Sequence, residues 1–253
     1  MKNKNKNKNN NQFYTVYGIN NSCEILKLKK DKIISVFLLK DGNAIRNDYI
    51  KKNIDSIKQK CAILNKREFN SKFNDIRSQG IVISFHFRPY NMLPQFSNQN
   101  ICLLIPESIE DPQNLGQIIR TSECAGIDGI LLPQHRSVGL TNSVLQVSQG
   151  AFLNLSIYSI GNISQTLKTL KKEGFWVIGV ENGLEASDWY DLDYSGKIVF
   201  IFGSEGKGIR NSTLKHCDSI ATIPMLGTTN SLNVSASVSA ILFERNRQLS
   251  TKK

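Results

Sequence analysis

From residue 101 onward the chain alternates short apolar runs with segments of helical period, and this alternation constrains the fold more than any other feature. Apolar runs with few interruptions are typical of strands that are buried on both faces of a sheet. Six runs are predicted as strands: residues 101–106, 129–133, 155–160, 175–181, 197–203 and 219–226. Helices are predicted between them at residues 114–125, 143–152, 163–172 and 211–216, and in the segment that closes the chain. Strands and helices in this order predict an α/β fold with a mainly parallel sheet.

The positive charge of the chain is concentrated in its first hundred residues. Residues 1–100 hold 19 Lys and Arg against 7 Asp and Glu, whereas residues 101–253 hold 13 against 14. A basic module beside a neutral one predicts that the first part binds a polyanion while the second part does something else. The alternative is a solvated basic surface in a chain with a lysine-rich bias.

The composition divides the chain into four predicted segments. They are a lysine- and asparagine-rich lead, 1–12, a small α/β module, 13–83, a linker, 84–100, and a second domain, 101–253. The lead has almost nothing apolar to bury, so we expect it to be disordered. In the module, Ile50, Ile54, Ile57 and Cys61 recur at helical spacing. The linker contains two prolines, several amides and no regular period.

Several classes of protein and site are disfavoured by what the sequence lacks. No run of roughly 18 apolar residues could span a membrane, and no apolar signal-peptide core begins the chain, so we expect a cytoplasmic protein. The five cysteines are scattered and include no CxxC pair, which disfavours a disulfide framework or a zinc site. None of the three histidines lies at metal-ligand spacing from another, so no metal is expected. The phosphate-loop, dinucleotide and hydrolase-elbow patterns are also missing.

Three loops that follow predicted strands are chemically unusual, and ligands of a parallel sheet lie beyond the carboxyl ends of its strands. In DPQNLGQIIRTSECAG, residues 111–126, Asn114 can start a helix and Arg120 falls six residues later. In GSEGKG, residues 203–208, glycines surround Glu205, so the backbone can approach a ligand closely. The third loop, IPMLGTTNSLN, leads directly into the last helix.

The closing helix is predicted to carry small side chains beside its apolar stripe. Val234, Val238, Ile241 and Leu242 form one apolar stripe for the core. Small residues beside that stripe leave room for another backbone or a ligand: Ser235, Ala236, Ser239 and Ala240. An ordinary buried helix would explain the stripe equally well, but it would not explain the Ser-Leu-Asn sequence before it.

In this order the three loops resemble the motifs of the SpoU family of RNA ribose 2′-O-methyltransferases, members of the knotted SPOUT class. The resemblance covers Asn100 to Arg247 almost without interruption. HRSVGLTNSVLQVSQGA, together with YGINNSCEIL and RSQGIV near the front, looks like the version with an L30-like N-terminal domain that methylates a guanosine of 23S rRNA. Ser78 stands where that version usually has His, and Ser239 replaces a common Gly of the last helix.

The resemblance implies a fold, a cofactor and partners. The fold is a SPOUT domain with a parallel sheet and a deep trefoil knot, a rare exception to the rule that chains do not thread, plus the L30-like RNA-binding domain. The cofactor is S-adenosylmethionine, bound in a bent form, with Gly203, Ile223 and Leu232 lining its pocket largely through backbone contacts. The partners are RNA and a second copy of the chain in a homodimer that shares the catalytic site.

The resemblance also implies the catalytic residues. Arg120 would hold the RNA phosphate and stabilise the developing ribose alkoxide, because a guanidinium is normally a hydrogen-bond donor only. Proton removal by Arg120 itself stays open. Asn114 would position the same ribose, Glu205 would orient Arg120 or its own loop, and Ser231 and Asn233 would complete the hydrogen bonds. For Glu205 and Ser231, loop closure or helix capping is an equally good interpretation.

The sequence therefore predicts an enzyme that methylates a ribose 2′-hydroxyl in structured RNA, first of all a guanosine of 23S rRNA. One alternative is a transfer RNA methyltransferase of the same family. Another is a non-catalytic RNA-binding or ribosome-assembly protein that retains the fold. A nucleotide-binding α/β enzyme that does not act on RNA is disfavoured by the missing phosphate loops and by the basic first module.

Overall fold

The structure is a computed structural model that describes residues 13–28, 30–74, 77–183, 186–204 and 206–251. The predicted disordered lead, residues 1–12, lies outside the described residues. The chain forms two compact units, with the boundary between Arg88 and Pro89. No helix in the described part of the chain is long and apolar enough to cross a membrane.

The first unit is a small mixed sheet with helices. The sheet has the order β1-β4-β2-β3, in which β4 is antiparallel to β1 and β2, and β3 is parallel to β2. Its strands are β1 (Phe13–Tyr17), β2 (Ile33–Leu39), β3 (Cys61–Leu64) and β4 (Ile81–His86). Its helices are α1 (Ile19–Leu28), α2 (Asn43–Arg46), α3 (Asp48–Ile54) and α4 (Lys66–Lys72), with 3₁₀ turns at Lys30–Lys32 and Asp55–Lys60.

The predicted helical stripe in this unit is wrong at its last member. Ile50 is buried in α3 and Ile57 is buried in the following 3₁₀ turn, but Cys61 begins strand β3. The strand forms because the run Cys61–Leu64 pairs in parallel with Val36–Leu39 of β2, and these ladder hydrogen bonds override a helical period of apolar residues.

The second unit contains a seven-stranded sheet in the order β7-β6-β5-β10-β8-β11-β9, and every pairing in it is parallel. The strands are β5 (Ile101–Pro106), β6 (Gly129–Pro133), β7 (Ile157–Ile160), β8 (Trp176–Val180), β9 (Ser187–Asp188), β10 (Lys197–Phe202) and β11 (Ser219–Thr222). The helices are α5 (Pro112–Cys124), α6 (Asn142–Val147), α7 (Ile163–Lys172), α8 (Asn211–Leu214) and α9 (Val234–Thr251). The predicted α/β fold with a parallel sheet is confirmed.

Two predicted segments differ from the structure in ways that local geometry explains. The predicted helix at 143–152 ends at Val147, because the chain turns through Gly150 with φ of 91° before a 3₁₀ turn at Ala151–Leu153. Of the predicted linker, residues 84–86 belong to β4, and Tyr90 pairs with the edge strand β7. The Tyr90 amide donates to the Ile157 carbonyl at 2.8 Å, so the start of the second unit covers a sheet edge.

Four central strands of the second unit end in one row. Pro106 of β5 pairs with Phe202 of β10, Phe202 pairs with Val180 of β8, and Val180 pairs with Ala221 of β11. Because the strands are parallel, the loops that leave this row start side by side at the same edge of the sheet.

Helix α9 packs its predicted stripe into the core. Val234, Val238, Ile241 and Leu242 are each at most 6% exposed. On the side of α5, the hydroxyl oxygens of Thr121 and Ser239 lie 3.4 Å apart. The small side chains of α9 thus allow a close approach to α5, as the sequence predicted.

A buried carboxylate joins two of the loops that leave the strand row. Glu107, which directly follows β5, is fully buried and forms an ion pair of 2.6 Å with the Arg210 guanidinium. The Arg210 backbone amide and the Thr213 hydroxyl also donate to this carboxylate, at 3.0 and 2.7 Å. A buried charge is stable only when donors surround it, and here they tie the β5 loop to the segment after β10.

Replacing this carboxylate should destabilise the second unit. We expect Glu107→Ala to lower the free energy of unfolding by about 2–4 kcal/mol, because Arg210 and Thr213 lose a buried acceptor. Urea denaturation of the full chain measures the change. The matched control is Glu173→Ala, at an exposed position, which should stay within about 0.5 kcal/mol of the wild type. Equal stability of the two variants would contradict a structural role for the ion pair.

Candidate active site

Polar loops converge just beyond the row of strand ends. They leave β5 at Glu107, β8 at Glu181, β10 at Gly203 and β11 at Ile223. Two adjoining cavities lie among these loops, and both are lined by Ser204, Gly206, Lys207, Gly208 and Val234. The loops that the sequence singled out therefore meet in one place.

The first cavity brings together four of the predicted site residues. It has a volume of about 360 Å³, which lies within the range of small-ligand sites. Gly203, Ile223 and Leu232, the residues predicted to bind the cofactor, line this cavity, and Ser231 lines it too. The five residues that line both cavities also belong to its wall. Its remaining described residues are Val180, Glu181, Asn182, Phe202, Met225, Asn230 and Ser237.

The loop after β10 is closed tightly on itself. The Gly208 amide donates to the Ser204 carbonyl at 2.9 Å. A Cβ atom on Gly203 would overlap the backbone of Gly208, so only glycine fits at position 203. Gly208 has φ of 61°, and a Cβ there would overlap the carboxylate of Glu181. Gly203, Gly206 and Gly208 thus place bare backbone in the wall of the first cavity. Glu205 of the same loop lies outside the described residues.

Asn182 forms hydrogen bonds with the end of β11 and with the segment between β11 and α9, which covers the first cavity. Its side-chain amide donates to the Asn230 carbonyl at 2.7 Å, and its side-chain oxygen accepts from the Thr222 hydroxyl at 3.0 Å. These bonds hold the segment before α9 against the end of β8. Ser231 and Leu232 consequently lie over the cavity, where Leu232 remains 43% exposed.

Asn114 and Asn233 meet although they are far apart in sequence. The Asn233 side-chain amide donates to the Asn114 side-chain oxygen at 2.9 Å. The Asn233 side-chain oxygen also accepts from the Ser235 backbone amide at 2.9 Å, so Asn233 stabilises the first turn of α9. The sequence interpretation gave a possible capping role to Ser231, but the bond to the first turn of α9 is made by Asn233.

The second cavity, of about 630 Å³, lies beside the first and is lined by Asn114. Its wall includes Ser108 and Arg136, two non-glycine residues with left-handed backbone, φ 58° and 59°. Such strain costs free energy and is often retained where a loop serves a site. The Val138 amide donates to the Ile109 carbonyl at 2.7 Å, which holds the two strained loops side by side.

Among the predicted site residues that the structure describes, Arg120 lies apart from the two cavities. It is exposed on α5 and lines neither of the two cavities. It follows Asn114 by six positions in α5, which corresponds to about 9 Å along the helix axis. Within one chain, Arg120 is therefore not part of the wall that Asn114, Ser231 and Gly203 form.

No cysteine is among the described residues that line the two cavities. Burial raises the pKa of the Cys102 thiol to about 12 and that of the Cys217 thiol to about 11, so both stay protonated near neutral pH. All five cysteines are free thiols. Within the described residues no group of three or more His, Cys, Asp and Glu side chains could hold a metal ion.

Four residues that matter to the site were missed in the sequence. Glu107, Glu181, Asn182 and Arg136 anchor loops or line the cavities. Three of them directly follow a predicted strand or end one, and that position in a parallel sheet was the available signal. The left-handed backbone of Arg136 leaves no comparable mark in the sequence.

Comparison with known proteins assigns the family. The profile of the SpoU rRNA Methylase family matches residues 102–243, more than half of the 253-residue chain. The chain is 30% identical to the 23S rRNA (guanosine-2′-O-)-methyltransferase RlmB of Haemophilus ducreyi over 239 residues, which cover 92% of this chain and 97% of that protein. It is 38% identical to the RlmB of Xylella fastidiosa over 146 residues, 58% of each chain.

A solved structure gives the same fold. The SpoU methyltransferase AviRb from Streptomyces viridochromogenes, in complex with the cofactor AdoMet, superimposes with a TM-score of 0.79 at 16% identity, over 94% of this chain and 91% of that one. At this identity the likeness concerns the fold alone. The profile match and the nearly full-length relative together show that the chain belongs to the SpoU rRNA methylase family.

Proposed function

We infer that this chain is an RNA ribose 2′-O-methyltransferase that uses S-adenosylmethionine. The observation that carries the inference is the pair of adjoining cavities at the strand ends. Gly203, Ile223, Ser231 and Leu232 line the first, and Asn114 lines the second. They belong to the loops in which the sequence resembles the SpoU family, and relatives in that family are named as 2′-O-methyltransferases of rRNA guanosine.

The first cavity suits S-adenosylmethionine. The glycines of residues 203–208 present backbone groups for hydrogen bonds, and Val180, Ile223 and Leu232 present apolar surface for a purine ring. A Cβ atom on Gly203 or Gly208 would overlap neighbouring atoms, so this part of the wall consists of bare backbone.

When bound, S-adenosylmethionine supplies an electrophilic methyl group on a positively charged sulfur. The ribose 2′-hydroxyl is a weak nucleophile near neutral pH, so the protein must assist loss of its proton as the new bond forms. We assign positioning of the ribose to Asn114 and Asn233, whose side chains are hydrogen-bonded at 2.9 Å. Val234, next to Asn233, lines both cavities, so this pair lies close to where cofactor and ribose would meet.

We assign stabilisation of the developing alkoxide to Arg120 of the partner subunit in a homodimer. In its own chain Arg120 is exposed and lines neither cavity, so it is available to the site of a neighbouring molecule. A guanidinium aimed at a developing oxyanion stabilises the transition state more than the ground state. Ser231 and Glu205 are assigned to the hydrogen bonds and loop order of the same site.

We propose that the first unit binds the RNA as an L30-like domain. Excluding the lead, residues 13–100 still carry 15 Lys and Arg against 7 Asp and Glu. Lys51, Lys52, Lys58 and Lys60 are exposed in and after α3, where they can contact phosphates. A guanosine of 23S rRNA is the first candidate target, in keeping with the names of the relatives, and transfer RNA is the second. Either RNA would place the enzyme in the cytoplasm.

We also propose that the C-terminal segment forms the deep trefoil knot of the SPOUT class. Its support is the close packing of α9 on α5, through Ser239 beside Thr121 and through a hydrogen bond of 2.9 Å from the Asn246 side chain to the Ala125 carbonyl. A helix with small side chains suits a segment that passes through a loop of the chain.

The rival function is a non-catalytic RNA-binding protein with the same fold. The sequence retains Asn114, Arg120, Glu205, Ser231 and Asn233, and a non-catalytic relative would be expected to lose at least one of them. A nucleotide-binding enzyme that does not act on RNA would not explain the excess of Lys and Arg in the first unit.

Removal of the Arg120 guanidinium tests the catalytic assignment. We expect Arg120→Ala to lower transfer of labelled methyl from S-adenosylmethionine to unmodified ribosomal RNA by about 100-fold or more, because the alkoxide loses a charged donor. Cofactor binding, followed by calorimetry, should be unchanged since Arg120 lines neither cavity. RNA binding without methyl transfer by the wild type, on ribosomal and transfer RNA alike, would favour the non-catalytic protein.

Mixing two inactive variants tests whether the site is shared. Arg120→Ala removes the guanidinium, and Ser231→Trp fills the first cavity. If each site takes Arg120 from the partner subunit, reassembled mixed dimers contain one intact site, and an equal mixture should regain about a quarter of the wild-type activity. If mass spectrometry detects mixed dimers but methyltransferase activity does not recover, the result would contradict a shared site.

Salt dependence tests the first unit as the RNA-binding part. For the double variant Lys58→Gln, Lys60→Gln, we expect the log-log slope of RNA affinity against salt to become shallower by about 0.7 for each RNA phosphate that the variant no longer neutralises. The matched control is Lys168→Gln, Lys172→Gln, at exposed positions of α7 in the second unit. Equal slopes for the two double variants would show that the basic surface of the first unit is only solvated.

A further inference from the structure

We propose that Glu181 is a cofactor-binding residue whose negative charge pairs with a cationic group of S-adenosylmethionine, either the sulfonium or the amino-acid ammonium. The inference deepens the proposed function and rests on its assignment of the first cavity to this cofactor. Neither the sequence motifs nor the family resemblance pointed to Glu181.

Backbone pairing fixes where Glu181 lies. It directly follows Val180, the last residue of β8, and its amide donates to the Ala221 carbonyl of β11 at 3.0 Å. The residue is therefore held in the strand row, half-buried, with its side chain in the wall of the first cavity.

The carboxylate lies along the loop after β10. One of its oxygens accepts a hydrogen bond of 2.9 Å from the Ile209 backbone amide. The other is the atom that a Cβ on Gly208 would overlap, so the carboxylate lies directly against the Gly208 backbone. A carboxylate offers about four acceptor positions, and among the described residues only Ile209 uses one. The remaining positions are available to a ligand in the cavity.

The described residues of the first cavity include few charged side chains, so the carboxylate of Glu181 largely determines which charged ligand groups the cavity can pair with. Among the described residues of its wall, Glu181 is the only carboxylate and Lys207 the only cation. S-adenosylmethionine carries two cationic groups, a sulfonium and an ammonium, and one carboxylate. Among the described residues of the cavity wall, only Glu181 offers a negative charge to those cationic groups. In a partly buried site an ion pair is stronger than in bulk water, because the surroundings screen it less.

A purely structural role for Glu181 predicts something different. The Ile209 hydrogen bond needs an acceptor oxygen but no charge, and a glutamine offers that oxygen with the same length of side chain. Glu181→Gln therefore removes the charge while it can keep the loop contact. Glu181→Ala removes both.

The experiment measures dissociation constants by calorimetry for the full chain and for Glu181→Gln, Glu181→Ala and a control, Asp191→Asn. Asp191 is an exposed carboxylate that lines neither cavity. The ligands are S-adenosylmethionine, S-adenosylhomocysteine, which lacks the sulfonium charge, and methylthioadenosine, which lacks the amino-acid part as well. We expect Glu181→Gln to weaken S-adenosylmethionine binding about tenfold, and Asp191→Asn to leave it unchanged. Thermal unfolding of each variant establishes that it is folded.

The ligand series identifies the paired group. If the sulfonium is paired, S-adenosylhomocysteine binding is unaffected by Glu181→Gln. If the ammonium is paired, S-adenosylmethionine and S-adenosylhomocysteine weaken together and methylthioadenosine does not. Unchanged affinity for all three ligands in Glu181→Gln would reduce Glu181 to a loop anchor and overturn the proposal. Equal weakening of all three would also overturn it, since the carboxylate would then hold the nucleoside.

The same measurements separate this proposal from the proposed function. A wild type that binds no S-adenosylmethionine would remove both the cofactor assignment and the role of Glu181. A wild type that binds S-adenosylmethionine with the expected Glu181 dependence, yet methylates no RNA, would overturn the enzymatic function and leave the charge pairing in place.

Discussion

The lateral alignment of four parallel strands is the constraint on which the rest of the second unit depends. Pro106, Phe202, Val180 and Ala221 are paired in one row, so the loops after β5, β10, β8 and β11 all begin at the same level. A shift of one residue between two of these strands would move one loop by about 3.3 Å along the sheet. Asn114 lies in the first turn of α5, which follows the β5 loop, whereas Gly203 and Ser231 follow β10 and β11. The alignment of the strands lets these three segments share adjoining cavities.

The loops that leave the row are held by polar side chains that the chain supplies at its strand ends. Glu107 accepts from Arg210 and Thr213, Glu181 accepts from Ile209, and Asn182 bonds to the segment before α9. These side chains replace the regular ladder bonds that stop where the strands stop. The hydrogen bonds of Glu107 and Glu181 thereby fix the backbone at Ile209 and Arg210, directly after Gly208. Gly203 and Gly208 add no side-chain bulk to the wall of the first cavity.

Much of the second unit could be predicted from the sequence, because its signals are local. Buried parallel strands are recognised by their apolar runs, and the stripe of Val234, Val238, Ile241 and Leu242 predicted the buried face of α9. What could not be predicted depends on contacts between distant segments. The bond between Asn233 and Asn114 spans 119 residues, and the ion pair of Glu107 with Arg210 spans 103. The local spacing of Cys61 predicts a helix, because that spacing carries no signal of the parallel partner β2, which makes Cys61 a strand residue. The predicted sites on Arg120 and Glu205 rest on the resemblance alone.

The wall that separates the two cavities has a thermodynamic consequence. Residues 204 and 206–208 and Val234 line both cavities, so one loop contributes surface to two binding events. A ligand that narrows the distribution of loop conformations in one cavity changes the free energy of occupying the other. Linkage requires that effect to be reciprocal: whatever the methyl donor does to RNA affinity, the RNA does equally to the affinity for the donor. The demethylated donor, having lost its sulfonium charge, need not produce the same coupling. Under the proposed function, release of the modified RNA therefore depends partly on the loop that both cavities share.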